Sequence, residues 1–338
     1  MTTPSFLDLV ADRVVVYDGA TGTWLQTQGL TADDYGGDAL EGCTDLLGVT
    51  RPDVIAALHS AYFEVGADVV ETNTFGAFAV PLGEYDLAER SHEIALANAR
   101  IAREVADSFS TADRKRYVAG SLGPGTKAPS LAQIRFAELR DAYEVAARGL
   151  LEGGVDLFIL ETHFDLLALK ASVIGARRAM AAVGRQVPIQ AQVTMELTGR
   201  MLVGTEIAAA LTAIEPLDVD IIGLNCATGP TEMSEHVRHL SQHSRVPISV
   251  LPNAGLPRWS TARCTTTSRP SRWRPISGAS SRSTACRSSE AAAAPPPSSS
   301  GCWPTWRRTS RRPPAPPRTR RRWRRSTRRS RSTRTPRS

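Results

Sequence analysis

The chain has 338 residues and a formal net charge of +7, enough length for one large domain or two ordinary ones. The charge averages two unlike parts: from Arg258 onward 22 Arg stand against one acidic residue, Glu290, which leaves 19 basic and 33 acidic residues in the first 257. Neither the net charge nor the pI therefore describes a folded surface. The body has no apolar run of transmembrane length and no charged-then-apolar leader, and Cys43, Cys226, Cys264, Cys286 and Cys302 lack paired secreted spacing, so a reducing cytoplasm is expected.

In chain order, the first apolar run is RVVVYDGATG (13–22). PDVIAALHSAYFEVG (52–66) follows, a helix pattern with Pro at its start, Gly at its end, and Val54, Leu58, Ala61 and Val65 on one face. Next come ADVVETNTFG (67–76) and RYVAGSLGPG (116–125), a helix over 139–154, VDLFILETHFD (155–165) and a helix over 166–180. VPIQAQVTM (187–195), a helix at 205–214, VDIIGLNCATG (219–229), a helix at 231–241 and VPISVLPNAG (246–255) complete the body. Thr205 and Thr231 are the expected N-caps of the last two helices. The seven runs are short, rich in Val and Ile, and end in polar or Gly residues, as strands buried on both faces of a parallel sheet do.

Strand–helix repetition suits a doubly wound sheet or a (β/α)₈ barrel. The polar residues favour the barrel. Asp18, Glu71, Asn73, Ser121, Glu161, Asn225, Cys226 and Asn253 stand at or just after strand ends, and a barrel gathers all its strand ends at one mouth, whereas an open sheet has one switch point. A barrel needs eight strands, and the body supplies seven.

In YDGATGTWLQ (17–26), a carboxylate at a strand end precedes small residues whose backbone N–H groups suit a carboxylate ligand; a tight turn explains the stretch equally well. Asp18 and Glu161 facing one cavity would hold an ammonium group, and an ordinary salt bridge is the competing reading for Glu161. His163 is a metal-ligand candidate set against a hydrogen-bonded loop residue. GSLGPGTKAPSL (120–131) reads as a shaped lip over the mouth or a long turn, and Cys43 as structural. Neither a GxGxxG nor a Walker loop is present, so a nucleotide is not indicated.

DGATGT, GCTDLLGVTRPDVI, VGADVVETNTFGA, GSLGPGTK, ETHFDLLALK, GRMLVGTEI and GLNCATGP, in that order over residues 8–257, resemble the homocysteine S-methyltransferase family. GCTDLLGVTRPDVI and IEPLDVDIIGLNCATGPTEMSEHVRHLS are more similar to the N-terminal homocysteine module of cobalamin-dependent methionine synthase than to betaine- or S-methylmethionine-dependent relatives. The resemblance implies a (β/α)₈ barrel and homocysteine as substrate. It implies a zinc ion on three cysteines, one of them Cys226 and two adjacent in a GGCCGT motif on the eighth strand, which turns the substrate thiol into a thiolate. Asp18 and Glu161 would hold the ammonium, and the backbone at Gly19, Ala20 and Thr21 the carboxylate. The methyl group would come from methylcobalamin, on cobalamin and folate modules expected beside this one.

No Cys-Cys pair exists in the chain. In RSSEAAAAPPP (287–297), a frame taking the last base of each codon with the first two of the next allows VVGGCCGTTP over ten consecutive junctions. That is the missing strand and the missing pair in order, and it implies a frameshift near codon 257. The expected architecture is thus a (β/α) barrel over 1–257 lacking its eighth strand, with strands one and seven as open edges. A tail over 258–338, whose only aliphatic residue larger than Ala is Ile276 apart from Pro, buries too little to fold and should be disordered. Zinc held by Cys226 alone should be weak, and the methyltransferase inactive as written. Two alternatives remain: a stand-alone enzyme using S-methylmethionine or a similar donor, and a non-catalytic barrel with a basic nucleic-acid-binding arm. The arm is disfavoured because no Lys and no repeat accompanies its 22 Arg.

Overall fold

Each of the seven apolar runs forms a strand. The computed structural model describes residues 5–254 and three later stretches, 257–259, 264–266 and 283–286, the last three by backbone alone. The strands are β1 (Val15–Val16), β2 (Val69–Glu71), β3 (Tyr117–Leu122), β4 (Leu157–His163), β5 (Ile189–Val193), β6 (Ile221–Asn225) and β7 (Ile248–Leu251). Beyond them lie an antiparallel pair, β8 (Pro257–Trp259) with β9 (Cys264–Thr266), and then β10 (Ser283–Cys286). The main helices are α1 (Phe6–Asp12), α2 (Thr21–Gln26), α3 (Ala32–Tyr35), α4 (Leu47–Thr50), α5 (Pro52–Glu64), α6 (Ala79–Leu82), α7 (Ser91–Phe109), α8 (Phe136–Glu152), α9 (Leu166–Val183), α10 (Ile207–Ile214) and α11 (Pro230–His243).

The parallel sheet runs β1-β10-β7-β6-β5-β4-β3-β2, and a parallel bridge between Tyr17 and Val69 joins its two ends. This is the expected (β/α) barrel, with one difference. The eighth place is filled: β10 pairs with β7 (Cys286 opposite Val250) and with β1 (Cys286 opposite Val16). The reason is backbone chemistry. An open edge on β1 and β7 leaves N–H and C=O groups unmatched, and any extended segment satisfies them whatever its side chains. The expected disorder of the tail otherwise falls outside the described residues, as does the RSSEAAAAPPP stretch.

One device recurs at the N-terminal rim. Asp68, Asp156 and Asp220 each stand one residue before or at the entry of an even-numbered strand. Each accepts a backbone N–H from the strand before it: Val16 at 3.1 Å, Val118 at 2.9 Å and Ile189 at 3.0 Å. Asp68 also takes both guanidinium nitrogens of Arg13, at 2.6 and 2.8 Å, and one of Arg114 at 3.0 Å. Burial raises its pKa, but these hydrogen bonds outweigh burial and leave it below the usual carboxylate range.

The helical layer follows the sequence with three corrections. Thr205 and Thr231 do not cap: α10 starts after Glu206, and α11 starts after Gly229 with Pro230 in its first turn, where a missing N–H costs nothing. On α5 the buried face is Val54, Ile55, Leu58, His59, Tyr62 and Phe63, while Val65 is exposed. The longest helix, α7, carried no expectation, because its buried stripe is mostly alanine: Ala95, Ala99, Ala102 and Ala106. Small residues let helices approach closely, and glycine does the same from α9. A Cβ on Gly175 would lie 2.7 Å from the Arg140 carbonyl oxygen and 2.8 Å from Tyr143 Cβ on α8. Gly175→Ala should therefore destabilise the chain by about 1–3 kcal/mol through overpacking, read as a lower urea midpoint. Asp68→Asn should lower the midpoint at pH 7 by less as pH falls below roughly 4, since a carboxylate with a depressed folded pKa stabilises only while ionised.

Candidate functional site at the barrel mouth

The C-terminal strand ends enclose a cavity of about 230 Å³ lined in part by Thr21, Glu71, Asn73, Ser121, Glu161 and Cys226. Six residues singled out in the sequence thus meet in one place. A larger cleft of about 620 Å³ lies beside Asp165, Lys170 and Pro216, away from that cluster. The small cavity holds the candidate chemistry, because it collects the strand-end carboxylates Glu71 and Glu161.

Glu161 is fixed from two sides. Ser121 Oγ donates to its Oε1 at 2.6 Å, and Asn225 Nδ2 donates to its Oε2 at 3.0 Å. The same Asn225 amide lies 2.7 Å from Thr162 Oγ1 and 3.3 Å from Cys226 Sγ, while its Oδ1 accepts the Thr162 N–H at 2.7 Å. Asn225 is fully buried and stands behind the cavity wall rather than on it. Its bonds reach two residues in the left-handed region, Thr162 at φ 58° and Cys226 at 56°, and Ala227 follows at 58°. A β-branched residue there is an outlier, and each such residue costs on the order of 1–3 kcal/mol. The turn that aims the Cys226 side chain is closed by Thr228 N–H to the Cys226 carbonyl at 2.7 Å and Asn253 N–H to the Thr228 carbonyl at 3.1 Å. Asn253 therefore buttresses the Cys226 turn.

Asp18 is buried, and its Oδ2 accepts the Glu71 N–H at 2.9 Å, so it ties the end of β1 to that of β2. Gly19 is required at its position: a Cβ there would meet Tyr62 Oη at 2.7 Å. Ala20 then caps α2 with no side-chain hydrogen bond, which leaves the first turn at Thr21 and Gly22 on the cavity wall. Asn73 donates to the Thr44 carbonyl at 2.7 Å and pins the segment before α4 against the mouth. The stretch after β3 is anchored by Ser130, whose N–H and Oγ donate to Asp165 at 2.9 and 2.6 Å beside the larger cleft.

Sequence reasoning missed Thr44, Asp45 and Phe75, which also line the cavity. Asp45 accepts the Gly76 N–H at 2.9 Å, and burial still raises its pKa to about 6. The GCTDLL stretch offers no strand periodicity, so nothing local showed that its carboxylate turns inward. His163 goes elsewhere: it is fully buried, 3.3 Å from Ser172 Oγ and beside the Tyr143 ring, and burial lowers its pKa to about 3, so it is neutral. Cys43 is buried, with its thiol pushed up to about 11 by burial first and Asp45 second, as suits a structural role.

A three-thiolate zinc ion does not fit the described residues. Among the described side chains Cys226 is the one thiol on the cavity wall, and no three His, Cys, Asp or Glu group around a common point. Among those residues, too, no helix is long and apolar enough to cross a membrane.

The raised pKa of Asp45 makes a prediction. A carboxylic acid whose folded pKa lies above its unfolded value loses stability as pH rises between the two, here from about 4 to about 6. Asp45→Asn should have a higher urea midpoint than the parent at pH 8, with the gain fading by pH 4. A loss of stability at pH 8 would mean that the Asp45 charge is satisfied.

The family profile described as homocysteine S-methyltransferase matches residues 15–289. Methionine synthase of Mycobacterium tuberculosis is 59% identical over 251 residues, and that of Mycobacterium leprae 57% over 251; each match covers 74% of this chain. The chain spans only 21% of the length of either relative. The metallated homocysteine methyltransferase MmuM of Escherichia coli shares the fold at a TM-score of 0.66 and 18% identity, over 84% of this chain and 96% of that one. The matching family profile covers most of the sequence, and the chain belongs to the homocysteine S-methyltransferase family.

Proposed function

We propose that this chain is the homocysteine-holding module of a methionine synthase, and that as written it binds homocysteine without converting it to methionine. The carrying observation is the cavity itself: a carboxylate, Glu161, pinned between Ser121 and Asn225, with Cys226 on the same wall. Its volume of about 230 Å³ is roughly seven waters' worth, at ~30 Å³ each, which suits a small amino acid. A buried carboxylate held in place before the ligand arrives binds an ammonium group without paying again for its own ordering. Glu161 and Asp18, with Glu71 beside them, make the ammonium end. The backbone from Gly19 to Thr21 at the start of α2 makes the carboxylate end, and Asn73 and Ser121 set the width between them. The thiol of the ligand then lies toward Cys226.

Identity of 57–59% to methionine synthases supports this reading over a stand-alone enzyme using S-methylmethionine. The proposed donor is methylcobalamin presented by a separate module, with 5-methyltetrahydrofolate recharging it. The proposed domain boundary lies near residue 257, where the Arg-rich tail begins. In this reading the missing Cys-Cys pair lies in the alternative frame over 287–297, and the basic tail has no nucleic-acid role.

Calorimetric titration should show homocysteine binding to the chain as written, weakened in Glu161→Gln by about 1.5–3 kcal/mol, the worth of a hydrogen bond to a charged group. Incubation with methylcobalamin and homocysteine should give no methionine, whereas a chain with VVGGCCGTTP restored should bind one zinc tightly and form it. Tight zinc binding that requires Cys226, or methionine formation by the chain as written, contradicts the proposal.

A further inference from the structure

Of the three histidines on the outer helix α11, His236, His239 and His243, the last two stand four residues apart. Residues four apart on a helix stand side by side on one face. Here the two imidazole centroids are 4.5 Å apart, with the rings inclined at 41°. His239 is half-buried and His243 exposed, so the pair opens to solvent. Among the described residues no carboxylate pairs with either ring; the imidazole–carboxylate contact in the barrel is His92 with Glu152, on other helices. Burial, and then the neighbouring His243, hold His239 below the usual imidazole range, which leaves its ring lone pair available near neutral pH.

We propose that His239 and His243 form a two-imidazole chelate for a divalent transition-metal ion on the outer face of the barrel, with water completing the coordination. Imidazole nitrogen suits zinc, copper and nickel, and two histidines at i and i+4 reach one ion from a single helix turn. A bound ion needs each nitrogen at about 2.0–2.1 Å, so the two rings swing from lying beside one another to converging on the ion. Exposed side chains make that change in picoseconds to nanoseconds. No third His, Cys, Asp or Glu among the described residues joins the pair. The site is therefore an exchangeable one, filled in the order copper above zinc. It also means that metal found on this chain reports on α11 and not on Cys226.

The test is calorimetric titration of the full chain with zinc chloride, and separately with copper chloride, after all thiols have been alkylated with iodoacetamide. One ion per chain should still bind, copper more tightly. His239→Asn or His243→Asn should each weaken binding about 100-fold, because the second imidazole acts at high effective concentration. His92→Asn should leave the titration unchanged, and the thermal midpoints of the two α11 variants should stay close to the parent. Binding that survives both α11 variants, or vanishes on thiol alkylation, overturns the proposal.

Discussion

The mouth of this barrel depends on one side-chain amide. Asn225 sits at the end of β6 and reaches across to the end of β4, where it touches Glu161, Thr162 and the sulfur of its own neighbour Cys226. Two strand ends that diverge into separate loops are thereby locked at one spacing. The left-handed backbone at Thr162 and Cys226 persists because those bonds over-determine it. An aspartate in place of Asn225 would set a second carboxylate against Glu161, and an alanine would leave buried groups without their partner. The shape of the mouth thus rests on a buried residue behind the cavity wall.

The two rims of the barrel divide the work. At the N-terminal rim, Asp68, Asp156 and Asp220 spend their charge on backbone N–H groups of the preceding strands and on Arg13, Arg103, Arg114 and Lys115, which closes the ring. At the C-terminal rim, Asp45, Glu71 and Glu161 line a cavity, and burial raises Asp45 rather than settling it. Asp68, used for structure, sits below its usual range, and Asp45, left facing a cavity, sits above it. That contrast separates stability from function in barrels of this kind.

Much of this was legible from residues alone. The seven strands follow from short Val- and Ile-rich runs with polar ends, and the convergence of Glu71, Asn73, Ser121, Glu161 and Cys226 follows from strand ends sharing a mouth. Other features were hidden by their physics. Helix α7 was missed because alanine, not leucine, forms its buried stripe. Asp45 was missed because a loop carries it inward without periodicity. Asn225 and Asn253 stood out as strand-end residues, yet their roles as a tie and a buttress needed coordinates. The filled eighth place was unexpected because strand pairing satisfies backbone groups, which side-chain composition does not report.

The central claim is that the homocysteine-holding half of the site is intact while the paired cysteines lie in another reading frame. Sequencing the coding DNA across codons 250–300 tests it directly. The account predicts one base gained or lost near codon 257, with VVGGCCGTTP then continuous with the frame of the body. A written frame confirmed base for base, with the alternative string spelled by no single-base shift, would contradict it.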